Sequence, residues 1–224
     1  MKQRIQRAAL RMAALLGIGT SILLTGCSNS FFTPVNNNPI PSGSTYVYVT
    51  NNASGAGGTI TAYSLSSGAL TQLSGSPYAV AAVPTSVVVA PNNKFLFVGT
   101  SIGVFLYTIN TDGTLTEGNS GTVVYIGQDT STTVQSMAVD STSSWLIIAN
   151  QGSSILDALS LDPTTGIPSS STTSSAKLAA ATPLQVAISP GNKNVFVALG
   201  ANGTEALTFN SGSGTPWGDR KSVV

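Results

Sequence analysis

The sequence has 224 residues, one cysteine, no histidine and only 8% charged residues. Between residues 27 and 218, three lysines face seven acidic residues and arginine is absent, so the net charge of this span is −4. A nucleic-acid binder needs a basic surface to neutralise phosphates, so this composition excludes nucleic acid as an expected partner. Serine, threonine, valine and glycine are frequent instead, as expected of β-strands joined by polar turns.

The first 26 residues have the pattern of an export signal. An apolar stretch from Met12 to Leu24 follows four basic residues, which are Lys2, Arg4, Arg7 and Arg11. Thirteen residues of helix reach only about 20 Å, too short for a hydrocarbon core of roughly 30 Å. A basic segment before a short apolar one indicates a signal peptide that is removed on export.

The export segment ends in a sequence that resembles the lipobox of bacterial lipoproteins, formed by Leu24, Thr25, Gly26 and Cys27. A lone cysteine in an exported protein is otherwise an odd thiol or half of a disulfide. The resemblance implies that Cys27 is lipidated and holds the protein at a membrane. Ser28 stands where aspartate would signal inner-membrane retention, which implies the outer membrane in a cell with two membranes. Residues 27–44, rich in Asn, Pro and Ser, then read as a flexible tether.

A repeat of about fifty residues runs through the remainder of the chain. Its clearest copies are TYVYVTNN, KFLFVGTS, SWLIIANQ and KNVFVALG, which begin at residues 45, 94, 144 and 193, so the steps are 49, 50 and 49. Each copy is a short run of β-branched and aromatic residues, which predicts a strand. A strand and a turn precede the later copies, a third strand follows each copy, and a weaker fourth strand is predicted at 76–80 and 122–126.

The constant step predicts an all-β fold, a β-propeller built of four-stranded antiparallel blades. Runs such as YVYV and FLFV are apolar on both sides, so both faces of each sheet need to be covered, and stacked blades cover them. A β-sandwich is the alternative, but it does not predict a constant step. About 3.5 blades fit the sequence: an incomplete blade followed by three blades, at 45–82, 83–131, 132–181 and 182–218.

The segment Tyr48-Val49-Thr50-Asn51 resembles the signature of the YVTN-repeat, lactonase-like propellers, and the resemblance covers residues 45–217. It implies seven blades in a complete propeller, so the chain is either a C-terminally truncated fragment or assembles with another copy. Residues 219–224 contain the only arginine outside the export segment and match what a sequencing adapter would encode. We therefore expect this tail to be non-native, with a natural basic tail as the alternative.

The lactonase-like family includes 6-phosphogluconolactonase-like enzymes, which often carry histidine at the start of the inner strand of a blade. The matching positions in this sequence are Thr85, Gln135 and Leu184. None of these side chains is a general base near neutral pH. The resemblance thus implies that any lactone hydrolysis depends on residues outside the blades in this sequence.

Two sets of residues at repeated positions are candidates for a site. Near the start of each inner strand, where the axial channel of a propeller opens, we predict ligand contacts from Ser86, Ser136 and Gln185. Asp157 and Glu205 share one position of the third strand. Paired carboxylates at a channel bind a cation or act as acid and base; the alternative is that both are polar residues on an outer strand face.

Two further positions have structural interpretations. Tyr46, Phe95 and Trp145 share one repeat position, where packing between blades and a sugar-stacking platform are the two interpretations. Asp140 ends an inner strand, and we predict that it caps the following turn.

The sequence therefore predicts a lipid-anchored propeller that binds a small molecule, a glycan or an envelope protein, with no cofactor and no metal. Two alternatives stay open. One is a lactone hydrolase whose catalytic residues lie in further blades, and the other is a structural envelope module without a small-molecule site.

Overall fold

The computed structural model describes residues 45–52, 57–127 and 132–223. The predicted signal peptide, the lipobox with Cys27 and the tether lie outside these residues, so they stay predictions. Within the described ranges, the only helices are two 3-10 turns at Asn119–Gly121 and Gly200–Asn202, and no helix has the length and apolarity to cross a membrane.

Strands form four antiparallel sheets of four strands each in the part of the chain that the structure describes. The first blade contains β1 (Thr45–Asn52), β2 (Gly58–Ser66), β3 (Ala69–Gln72) and β4 (Tyr78–Val80). The second contains β5 (Pro84–Val89), β6 (Phe95–Thr100), β7 (Gly103–Ile109) and β8 (Leu115–Glu117). The third contains β9 (Val134–Val139), β10 (Trp145–Asn150), β11 (Ile155–Leu161) and β12 (Pro168–Lys177). The fourth contains β13 (Gln185–Ile188), β14 (Asn194–Ala198), β15 (Thr204–Phe209) and β16 (Trp217–Val223).

The predicted all-β fold with four-stranded antiparallel blades is confirmed, although one predicted strand is wrong. Segment 76–80 contains β4, as expected, and β4 continues the outer edge of the first blade beside β2. Segment 122–126 is not a strand, because its only ladder contact is a single bridge between Tyr125 and Val104. The outer strand of the second blade is β8 instead, which begins seven residues earlier.

The blades are arranged around a common axis. In the second, third and fourth blades, the first strand of the sequence repeat lies at one edge of its sheet. These three edge strands lie side by side, because β5 neighbours β9 and β9 neighbours β13. They are the inner strands. In the first blade, the edge nearest the axis is β1, which lies beside β5.

Strand register is identical in the four blades, which places equivalent residues on equivalent faces. The second and third strands are opposed at Val49 and Thr61, Val98 and Phe105, Ile148 and Asp157, and Val197 and Glu205. Directly opposed residues of an antiparallel pair point to the same face. We call the side of a blade towards the next blade in the chain its forward face, and the opposite side its rear face.

An apolar core fills each of the three interfaces between consecutive blades. Between the second and third blades, the forward residues Phe97 and Leu106 pack on the rear residues Ile148 and Leu159. Equivalent positions form the core between the third and fourth blades and the core between the first and second. Burying one such side chain fully contributes about 1.5–3 kcal/mol. The stability of the chain therefore depends on stacking of its blades.

Aromatic residues of the second strand cover the turn that leads from the third to the fourth strand of the next blade, which we call the exit turn. A Cβ built on Gly113 would lie 2.3 Å from the ring of Tyr46, and one on Gly166 would lie 2.7 Å from Phe95. Trp145 donates its indole N–H to the Ser211 carbonyl at 2.9 Å. The packing interpretation of these aromatics is therefore confirmed.

Tyrosine hydroxyls add hydrogen bonds between the first and second blades. Tyr48, from the YVTN segment, donates to the Gly113 carbonyl at 2.8 Å, and Tyr107 donates to the Ala79 carbonyl at 3.2 Å. Burial raises the pKa of each phenol to about 12, with a further contribution from nearby acidic groups. Both tyrosines are therefore protonated donors at neutral pH.

Turns after the inner strands are linked from blade to blade by polar side chains. Asp140 is fully buried and accepts the backbone N–H groups of Ser144 and Trp145, both at 2.7 Å, so its predicted capping role is confirmed. Asn192 of the fourth blade donates to Asp140 at 3.0 Å and accepts the N–H of Ser141 at 3.0 Å. Asn192 thus links the turns of the third and fourth blades by hydrogen bonds.

The C-terminal segment is the outer strand of the fourth blade. β16 pairs antiparallel with β15, from Trp217 opposite Phe209 to Val223 opposite Thr204. Trp217 also donates its indole N–H to the Ser174 carbonyl of the third blade at 3.0 Å. Backbone pairing does not test the origin of residues 219–224, so the non-native tail stays a prediction.

We predict that alanine is tolerated at one exit-turn glycine and not at another. Gly113 and Gly68 have nearly the same left-handed φ, +81° and +80°, but only Gly113 lies against an aromatic ring. Gly68→Ala should lower the free energy of unfolding by about 1 kcal/mol through backbone strain alone. Gly113→Ala should cost about 1–3 kcal/mol more, because its Cβ overlaps Tyr46. Urea unfolding measures both; equal losses would contradict the blade-to-turn packing.

Candidate functional site

The three predicted ligand contacts occupy one repeat position at the start of three adjacent inner strands. Ser86 is opposed to Gly99, Ser136 to Ala149 and Gln185 to Ala198. The structure thus brings all three to the same axial end of the sheets. It also gives them different surroundings, since Ser86 and Ser136 are half-buried and Gln185 is exposed.

Ser136 forms a link between inner strands. Ala149, which is opposed to it, belongs to the core shared with the fourth blade, so Ser136 also points forward. Its hydroxyl accepts the backbone N–H of Val186 at 3.1 Å. Val186 is buried, so this bond satisfies a donor that lies away from water. Ser136 therefore has a structural role between the third and fourth blades.

A β-bulge interrupts two inner strands directly before these residues. Pro84 pairs with Thr100 and Ser86 with Gly99, which leaves Thr85 as the extra residue of β5. The same irregularity in β9 lies between Val134 and Ser136 and leaves out Gln135. Bulges redirect a side chain out of the regular alternation and occur often beside active sites.

The bulge residues Thr85 and Gln135 are two of the three positions that the resemblance to the lactonase-like propellers matches to histidine. Thr85 is exposed, and its hydroxyl donates to the carbonyl of Val134 in the neighbouring inner strand at 2.6 Å. Gln135 is half-buried. Leu184, the third residue of this set, is 55% exposed. We call Thr85, Ser86, Gln135, Ser136, Leu184 and Gln185 the axial rim.

The side chains of the axial rim carry hydroxyl groups, amide groups and one aliphatic group. None of its six side chains ionises near neutral pH. The rim therefore offers hydrogen-bond donors and acceptors in close succession, together with the apolar surface of Leu184. Such a surface suits a neutral ligand with many hydroxyl or carbonyl groups.

The two predicted carboxylates lie in different blade interfaces. Asp157 is buried on the rear face of the third blade, where it accepts the Tyr125 hydroxyl and the Ser175 hydroxyl, the latter at 2.5 Å. Glu205 is buried on the rear face of the fourth blade and accepts the N–H of Ala179 at 2.8 Å. They are thus neither exposed on an outer face nor paired in one site. Among the described residues, no group of three potential metal ligands occurs.

Asn150 is a polar residue beneath the rim that the sequence pattern did not single out. It is buried and opposed to Val134, next to the Gln135 bulge. Neither atom of its amide has a hydrogen-bond partner within the ranges that the structure describes. The equivalent Thr100 bonds to the Gly103 carbonyl at 2.8 Å, and the equivalent Leu199 is apolar. In the sequence, Asn150 differs from these two copies in keeping the asparagine of the YVTN segment, which is Asn51 in the first blade.

A shallow cavity of about 350 Å³ lies at the outer edge, between the second and third blades. Its walls are largely apolar, and residues that line it include Val124, Ile126, Leu159 and Pro168. It belongs to the outer strands and therefore lies apart from the axial rim.

Comparison with known proteins supports the fold. No family model matches the sequence, and no curated protein does. A solved structure of a protein from Lactobacillus plantarum is 15% identical, with a TM-score of 0.64 over 80% of this chain and 52% of that one. A Bacteroides fragilis protein assigned as a 6-phosphogluconolactonase is also 15% identical, with a TM-score of 0.60 over 80% of this chain and 53% of that one.

The likeness shows the fold and not the activity. Sqt1 from Chaetomium thermophilum gives a TM-score of 0.55 at 12% identity, over 78% of this chain and 43% of that one. Function resides in sites that differ between proteins of one fold. The chain spans about half the length of the Lactobacillus plantarum and Bacteroides fragilis proteins. The predicted likeness to the lactonase-like propellers is thus confirmed at the level of the fold.

Two serines at one repeat position should respond differently to alanine. Ser136→Ala removes the acceptor of the buried Val186 N–H and should lower the free energy of unfolding by about 1–2 kcal/mol. Ser86→Ala is the matched control and should change it by less than about 0.5 kcal/mol. Thermal unfolding of both variants measures the difference. Equal effects would show that Ser136 is not a structural link.

Proposed function

We propose that this chain is an envelope propeller module that binds a neutral, polyhydroxylated ligand, such as a glycan or a sugar lactone, at the axial rim. The observation that carries the proposal is the pair of equivalent bulges that present Thr85 and Gln135 at the start of adjacent inner strands. Three inner strands lie side by side there, so a ligand on the axis reaches several blades at once.

Charge supports the choice of a neutral ligand. The rim contains no cationic side chain, and between residues 27 and 218 the net charge is −4 without any arginine. Phosphate and carboxylate groups are usually held by arginine, lysine or histidine, so an anionic ligand lacks its ordinary partners at this rim. Sugar hydroxyls, in contrast, match the hydroxyl and amide groups of serine, threonine and glutamine.

Lactone hydrolysis is the second candidate function. It is favoured by the likeness in fold to the Bacteroides fragilis protein assigned as a 6-phosphogluconolactonase. The rim residues supply no general base near neutral pH, so in this candidate the base comes from outside the three inner strands described. Binding of the lactone at the rim is common to both candidates, and turnover distinguishes them.

Membrane attachment through Cys27 is the second part of the proposal. It rests on the basic and apolar segments that precede the cysteine and on the small residues directly before it. A lipid on Cys27 would hold the protein at a membrane surface.

A binding experiment tests the rim. The probes are a panel of neutral and acidic oligosaccharides, δ-gluconolactone and 6-phosphogluconolactone, measured by calorimetry. We expect a neutral member to bind, and Gln135→Ala or Thr85→Val to weaken its binding about fivefold, because each variant loses a hydrogen bond worth about 1 kcal/mol. Lys177→Ala on the outer strand β12 is the control and should bind like wild type.

The same probes decide between the two candidates. Tighter binding of 6-phosphogluconolactone than of δ-gluconolactone, with hydrolysis above the buffer rate, would favour the lactonase over the binding module. Binding that survives both rim variants unchanged would place the ligand elsewhere and contradict the proposal.

Cys27→Ser tests the membrane attachment. The variant has no thiol to acylate, so we expect loss of lipid labelling and release from the membrane fraction. Thr25→Ser keeps a small residue before the cysteine and is the control that should still be labelled. Labelling of the Cys27→Ser protein at the wild-type level would contradict the lipoprotein assignment.

A further inference from the structure

Leu184 is the apolar member of the axial rim, and its side chain is 55% exposed. The equivalent residues of the second and third blades are polar, namely Thr85 and Gln135. The backbone N–H of Leu184 donates to the Ala198 carbonyl at 2.8 Å, so the residue is held beside β14. A hydrophobic group therefore stands at a fixed place among hydroxyl and amide groups.

Leu184 lies against a glycine of the turn between β14 and β15. A Cβ built on Gly200 would be 3.3 Å from Cδ1 of Leu184, so the leucine side chain packs on bare backbone. Ser101 and Gln151 stand at the corresponding positions of the second and third blades. The fourth blade thus combines an apolar rim residue with a turn that has no side chain at the place of contact.

The side-chain amide of Gln135 is available on the neighbouring inner strand. β9 lies beside β13, and Ser136 of β9 accepts the N–H of Val186 of β13 at 3.1 Å, so Gln135 and Leu184 are neighbours at the starts of these strands. Among the residues that the structure describes, none bonds to the Gln135 amide, whereas the equivalent Thr85 bonds to the next inner strand at 2.6 Å. Gln135 thus retains two N–H donors and a carbonyl acceptor for a ligand.

An apolar surface beside a free amide selects among neutral ligands. A ligand that carries only hydroxyl groups would place one of them against Leu184 without a hydrogen-bond partner, which is unfavourable once water is excluded. A methyl group buries favourably on leucine, at a gain that grows with the apolar area covered. A carbonyl group next to that methyl accepts an N–H of Gln135. The acetamido group of an N-acetylated sugar presents both the methyl and the carbonyl on one planar unit.

We propose that Leu184, Gly200 and Gln135 form a subsite for the acetamido group of an N-acetylhexosamine, which defines the class of glycan that the rim binds. The inference rests on the proposed function, since it specifies the ligand of the same rim. The acetyl methyl packs on Leu184, and the acetyl carbonyl accepts an N–H from Nε2 of Gln135. Hydroxyl groups of an adjoining sugar reach Thr85, whose oxygen keeps acceptor capacity after its own donation.

Two trisaccharides that differ at one carbon of each ring test the subsite. Chitotriose and cellotriose share a β-1,4-linked backbone, and chitotriose carries an acetamido group where cellotriose has a hydroxyl. Calorimetry with the full chain should show chitotriose binding about tenfold more tightly, because it gains one apolar contact and one hydrogen bond. Equal affinities would overturn the inference while leaving binding at the rim in place. Binding of neither trisaccharide would also overturn it, and the other probes of the rim would then decide the proposed function separately.

A pair of variants assigns the preference to Leu184. Leu184→Gln introduces the amide that the third blade has at this position, so it should reduce the preference for chitotriose to about twofold and leave the affinity for cellotriose nearly unchanged. Ile102→Gln is the matched control, because Ile102 is also an exposed aliphatic residue, at 47%, but lies in the turn between β6 and β7. It should keep the tenfold preference. A preference that survives Leu184→Gln, or that both variants lose equally, would contradict the assignment.

Saturation-transfer NMR locates the contact on the ligand without any substitution. The acetyl methyl protons of chitotriose should receive more saturation from the wild-type chain than the ring protons do, because the methyl lies against Leu184. Stronger transfer to the ring protons would show that the acetamido group faces solvent, and it would overturn the proposal.

Discussion

The central strands of the second and third blades are buried on both faces, and the need to cover both faces governs the structure. Ile147 and Ile148 are consecutive residues of one strand and are both completely buried, each in a different interface. A strand of this kind has no side that suits water, so it is stable only between two other blades. The repeated register follows from this constraint, because each interface is filled by the same positions. The aromatic contacts at the exit turns follow from it as well.

The periodic part of the fold could be predicted from the sequence, and its departures from the period could not. Strands recur at steps of 49 and 50 residues because each blade solves the same packing problem. Segment 122–126 has the composition of a strand, but its apolar side chains serve packing: Val124 and Tyr125 belong to the core between the second and third blades. The bulges at Thr85 and Gln135 also cannot be predicted from the sequence of one strand, because a bulge is defined by how its residues pair with the partner strand.

For the candidate site, the sequence predicted where the residues lie in the sheets better than it predicted what their side chains contact. Ser86, Ser136 and Gln185 occupy equivalent places in the register, which a constant step is sufficient to predict. The bond from Val186 to Ser136 depends on the offset between two sheets, and no local pattern encodes that offset. Asp157 and Glu205 were expected at a channel or on an outer face, and both interpretations assumed access to water. Their burial is made tolerable by donors from Tyr125, Ser175 and Ala179, which lie far away in sequence or in another strand.

Blade stacking and the proposed ligand site meet at the axis of the propeller. Each of the second, third and fourth blades contributes one inner strand to the wall of the axial rim, and rim residues such as Thr85 and Ser136 bond across to the next inner strand. On the side of the first blade, the strand nearest the axis is β1, a second strand of the repeat, so the described wall covers only part of a ring. The stacking of the blades that stabilises the fold also fixes the relative positions of the rim residues, so the affinity of the rim for the proposed ligand should depend on it.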